Sequence, residues 1–355
     1  MSDFRIDQIT NRVGDAGTQI CGVSTFSGTS GMRIPSGPTE YRGGRGRGLI
    51  CGGRKSPTYY NTINYVEIST TGNSVDFGDL SHQVNGPKGT SNSVRACFAS
   101  GYHNPSSGYI NNIDYVTISS QGGANDFGDL ITGTSGSFGT ASNNTRGLYV
   151  GGAPSYLRTC QYITFATTGD ANNFGDMLVN TEASTSASGG GVRNSSHGVL
   201  GSATRAIFAG GDTPNIGDYK MIQYTEYASL GDTIKFGELS ATWTNTSAVS
   251  SGTRGVIMGG ENPSRTNACE YITIATFGNG TDFGDLTDDR RSGAAFDNSV
   301  RGCLAGGDDS GSGGNNSNII DYITIATTGN ATDFGDIYDE VRNPGSGSDC
   351  HGGLG

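Results

Sequence analysis

Hydrophobic residues along this chain fall in short runs, each closed by glycine or by a cluster of Ser, Thr and Asn. Leu49-Ile50-Cys51 ends in Gly52-Gly53, Leu148-Tyr149-Val150 in Gly151-Gly152, and Val256-Ile257-Met258 in Gly259-Gly260. No stretch keeps an apolar period of about 3.6 residues, so amphipathic helices are not expected. Short runs of β-formers between turn residues predict strands throughout.

The runs repeat. The phrase Arg146-Gly-Leu-Tyr-Val-Gly-Gly152 recurs with variations from Arg47, Arg95, Arg146, Arg205, Arg254 and Arg301. Each copy is followed by a Tyr and, 12 residues later, a Phe-Gly-acid: Tyr65/Phe77, Tyr115/Phe127, Tyr162/Phe174, Tyr224/Phe236, Tyr271/Phe283 and Tyr322/Phe334. A strand-rich repeat of about 50 residues means a ring or an array. The last copy divides into four strands: residues 291–296, 301–307, 320–325 and 333–337. The constant 12 predicts a tight hairpin between strands three and four, with the Gly of Thr327-Thr-Gly-Asn330 at positive φ. Strand one is poor in large residues, as in Ser247-Ala-Val-Ser250 and Ser195-Ser-His-Gly198. Such strands suit the crowded axis of a propeller, with the Tyr and Phe columns filling the space between blades. Burying each aromatic is worth roughly 2 kcal/mol.

The fold class read from this pattern is all-β: a six-bladed β-propeller of four-stranded antiparallel blades with an extended N-terminal arm. Residues 1–40 form the arm and 41–355 the ring. The chain enters the ring on strand two of blade 1 (Arg47–Gly53). Val341 to His351 aligns with strand one, so the C-terminal strand is expected to complete that blade.

Composition narrows the function. Of 355 residues, 60 are Gly and 33% are hydrophobic, but strict register argues against disorder. The net charge of −11 disfavours nucleic acid as a partner. No run approaches the ~20 apolar residues that span a bilayer, and Met1-Ser-Asp-Phe-Arg5 lacks an apolar h-region, so a secretory signal is not expected. Arg42-Gly-Gly-Arg-Gly-Arg-Gly48 reads as a flexible entry to the ring rather than an RNA-binding segment. Cys97 and Cys303 occupy a repeat position held elsewhere by Leu49, Leu148, Ile207 and Val256, so they read as small buried hydrophobes. No zinc-type His or Cys spacing occurs, so neither metal nor cofactor is expected.

Motifs written six times read as architecture. Asp76-Phe-Gly is not a kinase motif, for it recurs with variations and lacks the companion loops. The acids after Phe-Gly (Asp79, Asp129, Asp176, Glu238, Asp285, Asp336) and the six Arg that open strand two form matching series. They are expected to pair near one face. That face holds the one-to-two and three-to-four turns and is constant. The opposite face varies: the Arg-to-Tyr spacings are 18, 20, 16, 19, 17 and 21, and an insertion lies around residues 180–196. Variable loops carry recognition. Candidate binding residues there are Tyr59, Tyr60, Tyr102, His103, Tyr109, Tyr156, Arg158, Tyr219, Lys220 and Arg265. Tyr set among Ser, Asn and Gly makes adaptable polar contacts and suits sugars. An enzyme would need converging carboxylates; Asp212, Asp218, Glu261, Asp308 and Asp309 look scattered.

The order Arg-x-Gly, hydrophobics ending in Gly-Gly, a Tyr strand and an aromatic strand resembles the kelch repeat over about residues 40–355. Phe replaces the usual strand-four Trp, and Trp243, the one Trp present, follows the fourth Phe-Gly-acid. Together with Ile6-Asp-Gln-Ile-Thr-Asn-Arg-Val-Gly-Asp-Ala-Gly17, Thr25-Phe-Ser-Gly-Thr-Ser-Gly31 and Ile34-Pro-Ser-Gly37, the chain resembles kelch-like structural proteins of tailed phages, especially cyanophages. The resemblance implies a non-enzymatic virion protein, a tail fibre or capsid decoration, made in the host cytoplasm. Its arm would dock on other virion proteins or assemble a homo-oligomer, and its propeller would face a host-surface glycan or protein. The alternatives are a carbohydrate-binding adhesin module and a propeller glycan lyase or hydrolase.

Overall fold

The computed structural model describes residues 25–27, 31–33, 46–103, 108–133, 138–151, 157–178, 199–213, 217–218, 220–261, 263–309 and 316–354. These build a six-bladed β-propeller of antiparallel sheets, each ordered one-two-three-four from axis to rim. Blade 5 shows the pattern: Ser247–Ser250, Arg254–Glu261, Arg265–Thr273 and Thr281–Asp285. Blade 2 adds Val84–Asn85 beside the end of its strand two. The last strand of the chain, Gly345–Ser348, pairs with Arg47–Cys51 and supplies strand one of blade 1. In blade 6 strand one is Ala294–Asp297, three residues later than the sequence pattern suggests, because Arg290–Arg291 pairs instead with Asp308–Asp309. Blade 4 uses Val199–Gly201; Ser195–Gly198 lies outside the described residues, as does residue 180–196 of the insertion. Within the arm only Thr25–Ser27 and Gly31–Arg33, a paired hairpin, are described.

The join at blade 1 repeats the chemistry of an unbroken turn. In blades 2 to 6 the backbone N–H of the strand-two Arg donates to a side chain three residues earlier: Asn92, Asn143, Ser202, Ser251 or Asn298. Arg47 has no such residue before it. Its N–H donates to Oδ1 of Asp349 at 3.0 Å, from the far end of the chain.

Three layers of bonds hold blade to blade. At the axis, strand-one serines reach sideways: Ser91 donates to the Ser348 carbonyl, Ser348 to Asp297, Ser247 to Gly293 and Ser250 to Gly201, at 2.8–2.9 Å. Small residues therefore stitch the inner strands as well as fitting them. At mid-radius, the residue before each strand-three Tyr is polar and buried: Asn64, Asp114, Gln161, Gln223, Glu270 and Asp321. From blade 2 onward it accepts the N–H of Ser81, Ile131, Leu178, Ser240 or Thr287 of the preceding blade. Buried polar groups must be bonded, and here the bond crosses the seam.

At the rim, the three-to-four connection is not a tight hairpin. Residues 68–74 of blade 1 separate Glu67 from Val75, and their second half lies against the outer strand of blade 6. Gly72 and Ser74 donate to the carbonyls of Phe334 and Asp336, and the same pair of bonds joins blade 2 to 1, 3 to 2, 4 to 3 and 6 to 5. A Cβ on Gly128 would stand 2.5 Å from Gly169, so the paired chains need glycine there. This docking, and not a two-residue turn, fixes the count of 12 between Tyr and Phe.

The expected Arg–acid pairing is overturned. Arg47 lies opposite Glu67, at the end of strand three, while Asp79 lies opposite Thr62, at its start. Five residues of strand separate those levels, about 16 Å. Each Arg instead lies over its own strand-three Tyr, 4.4–5.2 Å from the ring centroid. Its guanidinium donates to backbone carbonyls just past strand three of the next blade: Arg47 to Ile118, Arg95 to Phe165, Arg146 to Tyr227, Arg205 to Ile274 and Ala275, Arg254 to Ile325 and Ala326, Arg301 to Ile68 and Ser69. The ring of cations thus closes on itself. The Phe side chains fill the seams; Phe77 packs with Leu49 and Ile63 of blade 1 and Phe98 and Val116 of blade 2. Each Phe meets its blade's Tyr edge-on at 5.9–6.3 Å.

Candidate functional site

The variable face gathers some of the candidate residues and separates others. Tyr102 and Tyr109 face each other across the two-to-three hairpin of blade 2, centroids 5.6 Å apart. Tyr59, on the equivalent hairpin of blade 1, lies 6.1 Å from Tyr102, and Arg54 covers its ring at 5.6 Å. His103 meets His82 edge-on at 5.1 Å. Burial, then the neighbouring His82, lowers the His103 imidazole below its usual range. The result is a row of three phenol rings flanked by an arginine and two imidazoles, spanning two blades. His82 and Arg54 were not among the residues singled out from sequence; their part depends on neighbouring hairpins meeting.

The other candidates stand apart. Tyr60 is half-buried against the seam of blades 6 and 1, where burial raises its phenol. Arg158 donates to the Met177 carbonyl at 3.1 Å, a bond within the rim of blade 3. Lys220 pairs with Glu238 at 3.0 Å. Tyr156 and Tyr219 lie outside the described residues. Arg265 belongs to an ionic cluster at blades 5, 6 and 1: Asp308 accepts from Arg265 at 3.0 Å and Arg291 at 2.7 Å, with Arg342 at 4.0 Å, while Arg291 also binds Glu261. Two of the carboxylates that look scattered in sequence are therefore gathered, but each is neutralised by arginine. The Asp212 and Asp218 side chains lie outside the described residues.

Ser81 touches both His82 and Asp114, yet not as part of a hydrolase triad. Ser81 Oγ bonds His82 Nδ1 at 2.6 Å and also both Asp114 oxygens at 2.7–2.8 Å. A triad needs the imidazole between the hydroxyl and the carboxylate. The Ser–Asp part recurs as Ser240–Glu270 and Thr287–Asp321, and so belongs to the seams.

The axis holds a second concavity. Strands one run from the variable face to the constant face, and their side chains line a channel from Lys88 and Pro344 to Asp297 and His351. The constant end is plugged by the tail. His351 Nε2 donates to the Ser91 carbonyl at 2.7 Å, Gly352 N–H donates to Asp297 Oδ1 at 2.9 Å, and the short 3-10 turn Gly352–Leu354 lies against strands one of blades 3 to 5. The channel is thus a funnel closed at the constant-face end. Burial lowers His351 to about 4 and raises Asp297 to about 7, the latter opposed by the N–H groups of Ser250 and Gly352.

Among the described residues, six cysteines are free and buried and no cluster of His, Cys, Asp and Glu could hold a metal. Burial raises the thiols, which keeps them protonated. No described helix is long and apolar enough to cross a membrane. No protein-family model matches the chain, and no curated protein matches it.

Proposed function

We propose that this chain is a non-enzymatic binding protein whose propeller presents the variable face to a surface ligand, with a glycan as the preferred partner. The observation that carries the reading is the row Tyr59–Tyr102–Tyr109, edged by Arg54, His82 and His103. Phenol faces stack on sugar rings, while their hydroxyls and nearby amides take the polar edges. The gathered carboxylates are paired with arginine, which argues against general acid–base hydrolysis. The resemblance of residues 6–17, 25–31 and 34–37 to phage arms supports a virion setting, with residues 1–40 as the attachment segment to other virion proteins.

Two measurements test this. A glycan array with the full chain should give binding that Tyr102→Ala weakens at least about tenfold, the scale of a buried aromatic contact. An array with no binder, or binding indifferent to Tyr102, sinks the glycan reading. Mass spectrometry of purified particles should find the chain, and its absence from them overturns the virion setting.

A further inference from the structure

The phenol row continues into two arginines. Arg342 and Arg54 pair in antiparallel register: Arg54 N–H donates to the Arg342 carbonyl at 3.0 Å and Arg342 N–H to that of Arg54 at 3.1 Å. Arg54 pairs in turn with Tyr59 across the two-to-three hairpin of blade 1. Residues directly opposite in an antiparallel pair project to one face. Arg342, Arg54 and Tyr59 therefore stand side by side, followed by Tyr102, 6.1 Å from Tyr59. Lys55 alternates to the other face, where Glu340 neutralises it at 2.8 Å.

The two arginines are not neutralised in that way. Among the described residues Arg54 forms no ion pair. Its guanidinium donates to Ser56 Oγ at 3.3 Å and lies over the Tyr59 ring, and its Nε is buried without a hydrogen-bond partner. Arg342 has one carboxylate at 4.0 Å, that of Asp308, and the same oxygen already takes Arg265 at 3.0 Å and Arg291 at 2.7 Å. Like charges set directly opposite each other destabilise a sheet. The net charge of the chain is −11, yet this face brings two cations together with only a share of one acid. Both can be reached: the Arg342 side chain is 28% exposed, and Arg54 and Tyr59 are half-buried.

We propose that the row reads acidic sugars: the sugar ring stacks on the phenols, and its carboxylate is taken by the Arg54–Arg342 pair. The inference rests on the glycan reading above and names the class of glycan. A planar guanidinium offers a carboxylate two parallel N–H donors. The bound carboxylate supplies the negative charge that the fold leaves out and relieves the cross-strand repulsion. A neutral sugar uses the phenols and leaves the cations uncompensated. Stacking therefore supplies binding, and the arginines supply the preference for acid.

The test is calorimetric titration of the full chain with paired oligosaccharides matched in length and linkage: gluco with glucurono, galacto with galacturono, and manno with mannurono. In at least one pair the acidic member should bind about tenfold tighter or more, the scale of a charge-assisted hydrogen bond. Arg54→Gln should bring the two members level, and Arg342→Gln should narrow the gap. Lys55→Gln removes the same charge from the other face and should keep the wild-type ratio. Equal binding within every pair overturns the proposal while the glycan reading stands. Binding of neither member of any pair also overturns it, and the array above then decides the glycan reading alone. A ratio that survives Arg54→Gln, or falls as far with Lys55→Gln, refutes the assignment to these arginines. Should the arginine variants not fold, salt decides on the wild type: the ratio must fall between about 0.05 and about 0.5 M sodium chloride, and a ratio indifferent to salt refutes the site.

Discussion

Replacing Arg254 by Ala separates the two roles that its position allows. The guanidinium donates to the carbonyls of Ile325 at 3.2 Å and Ala326 at 2.8 Å, and lies 4.4 Å from the Tyr271 centroid. Both bonds leave one nitrogen, so they count as a single charge-assisted interaction of about 1.5–3 kcal/mol. The ring contact adds about 0.5–1 kcal/mol. The expected loss is about 2–4 kcal/mol. With an unfolding entropy of about 2.1 cal/mol/K per residue over the roughly 300 residues from Arg47 to the tail, that lowers Tm by about 3–6 °C. Arg254→Lys keeps the charge but not the planar fork, and should fall between wild type and Ala. Asp285→Asn, in the acid series of the same blade, should stay within about 0.5 kcal/mol of wild type. Thermal melts of the three variants decide it. If Arg254→Ala melts within a degree of wild type, or Asp285→Asn costs as much, the carbonyl lock is wrong.

Removing residues 345–355 takes away strand one of blade 1, the Asp349 cap and the funnel plug together; circular dichroism should show loss of the cooperative melt, and an unchanged Tm would refute closure by the tail. The plug also sets a pH signature. His351 titrates at about 4 in the fold and about 6.5 unfolded, so its contribution is present above 6.5 and is lost as pH falls towards 4. Asp297 titrates at about 7 in the fold and about 3.8 unfolded, so it favours the fold at low pH and loses that contribution as pH rises from about 4 to 7. The two slopes oppose each other. Relative to wild type, His351→Gln should therefore gain stability at about pH 5 compared with about pH 7, and Asp297→Asn should show the reverse in urea midpoints. Parallel profiles for the two variants would contradict both assignments.

The ring was legible because it is periodic. The Tyr–Phe count, the Gly-Gly ends and the small strand ones each follow from a local constraint repeated six times. The partners across the seams were not legible. The six Arg and the six Phe-Gly acids match as series, and only strand register shows that they sit at opposite ends of strand three. The residues that do bridge the seams, from Asp114 to Asp321, carry a sequence signal of their own: a polar residue precedes every strand-three Tyr. Of the candidate binding residues, Tyr59, Tyr102, His103 and Tyr109 come together, because blades 1 and 2 present neighbouring hairpins. Arg158 and Lys220 are taken up by the rim, and no local pattern distinguishes them beforehand.

The seam at blade 1 also sets how the molecule answers a pull. Gly48 pairs with Ser348, so the chain enters strand two and leaves strand one at the same end of an antiparallel ladder. Tension applied before Arg47 and beyond Ser348 would peel that ladder rung by rung, whereas shear would load all its bonds at once. The tail turn, anchored on Asp297 and Ser91, must come out first. A propeller tethered through the chain before Arg47 and pulled from its rim leaves this seam unloaded; one pulled through both ends opens at blade 1, with the other five blades still bonded to each other.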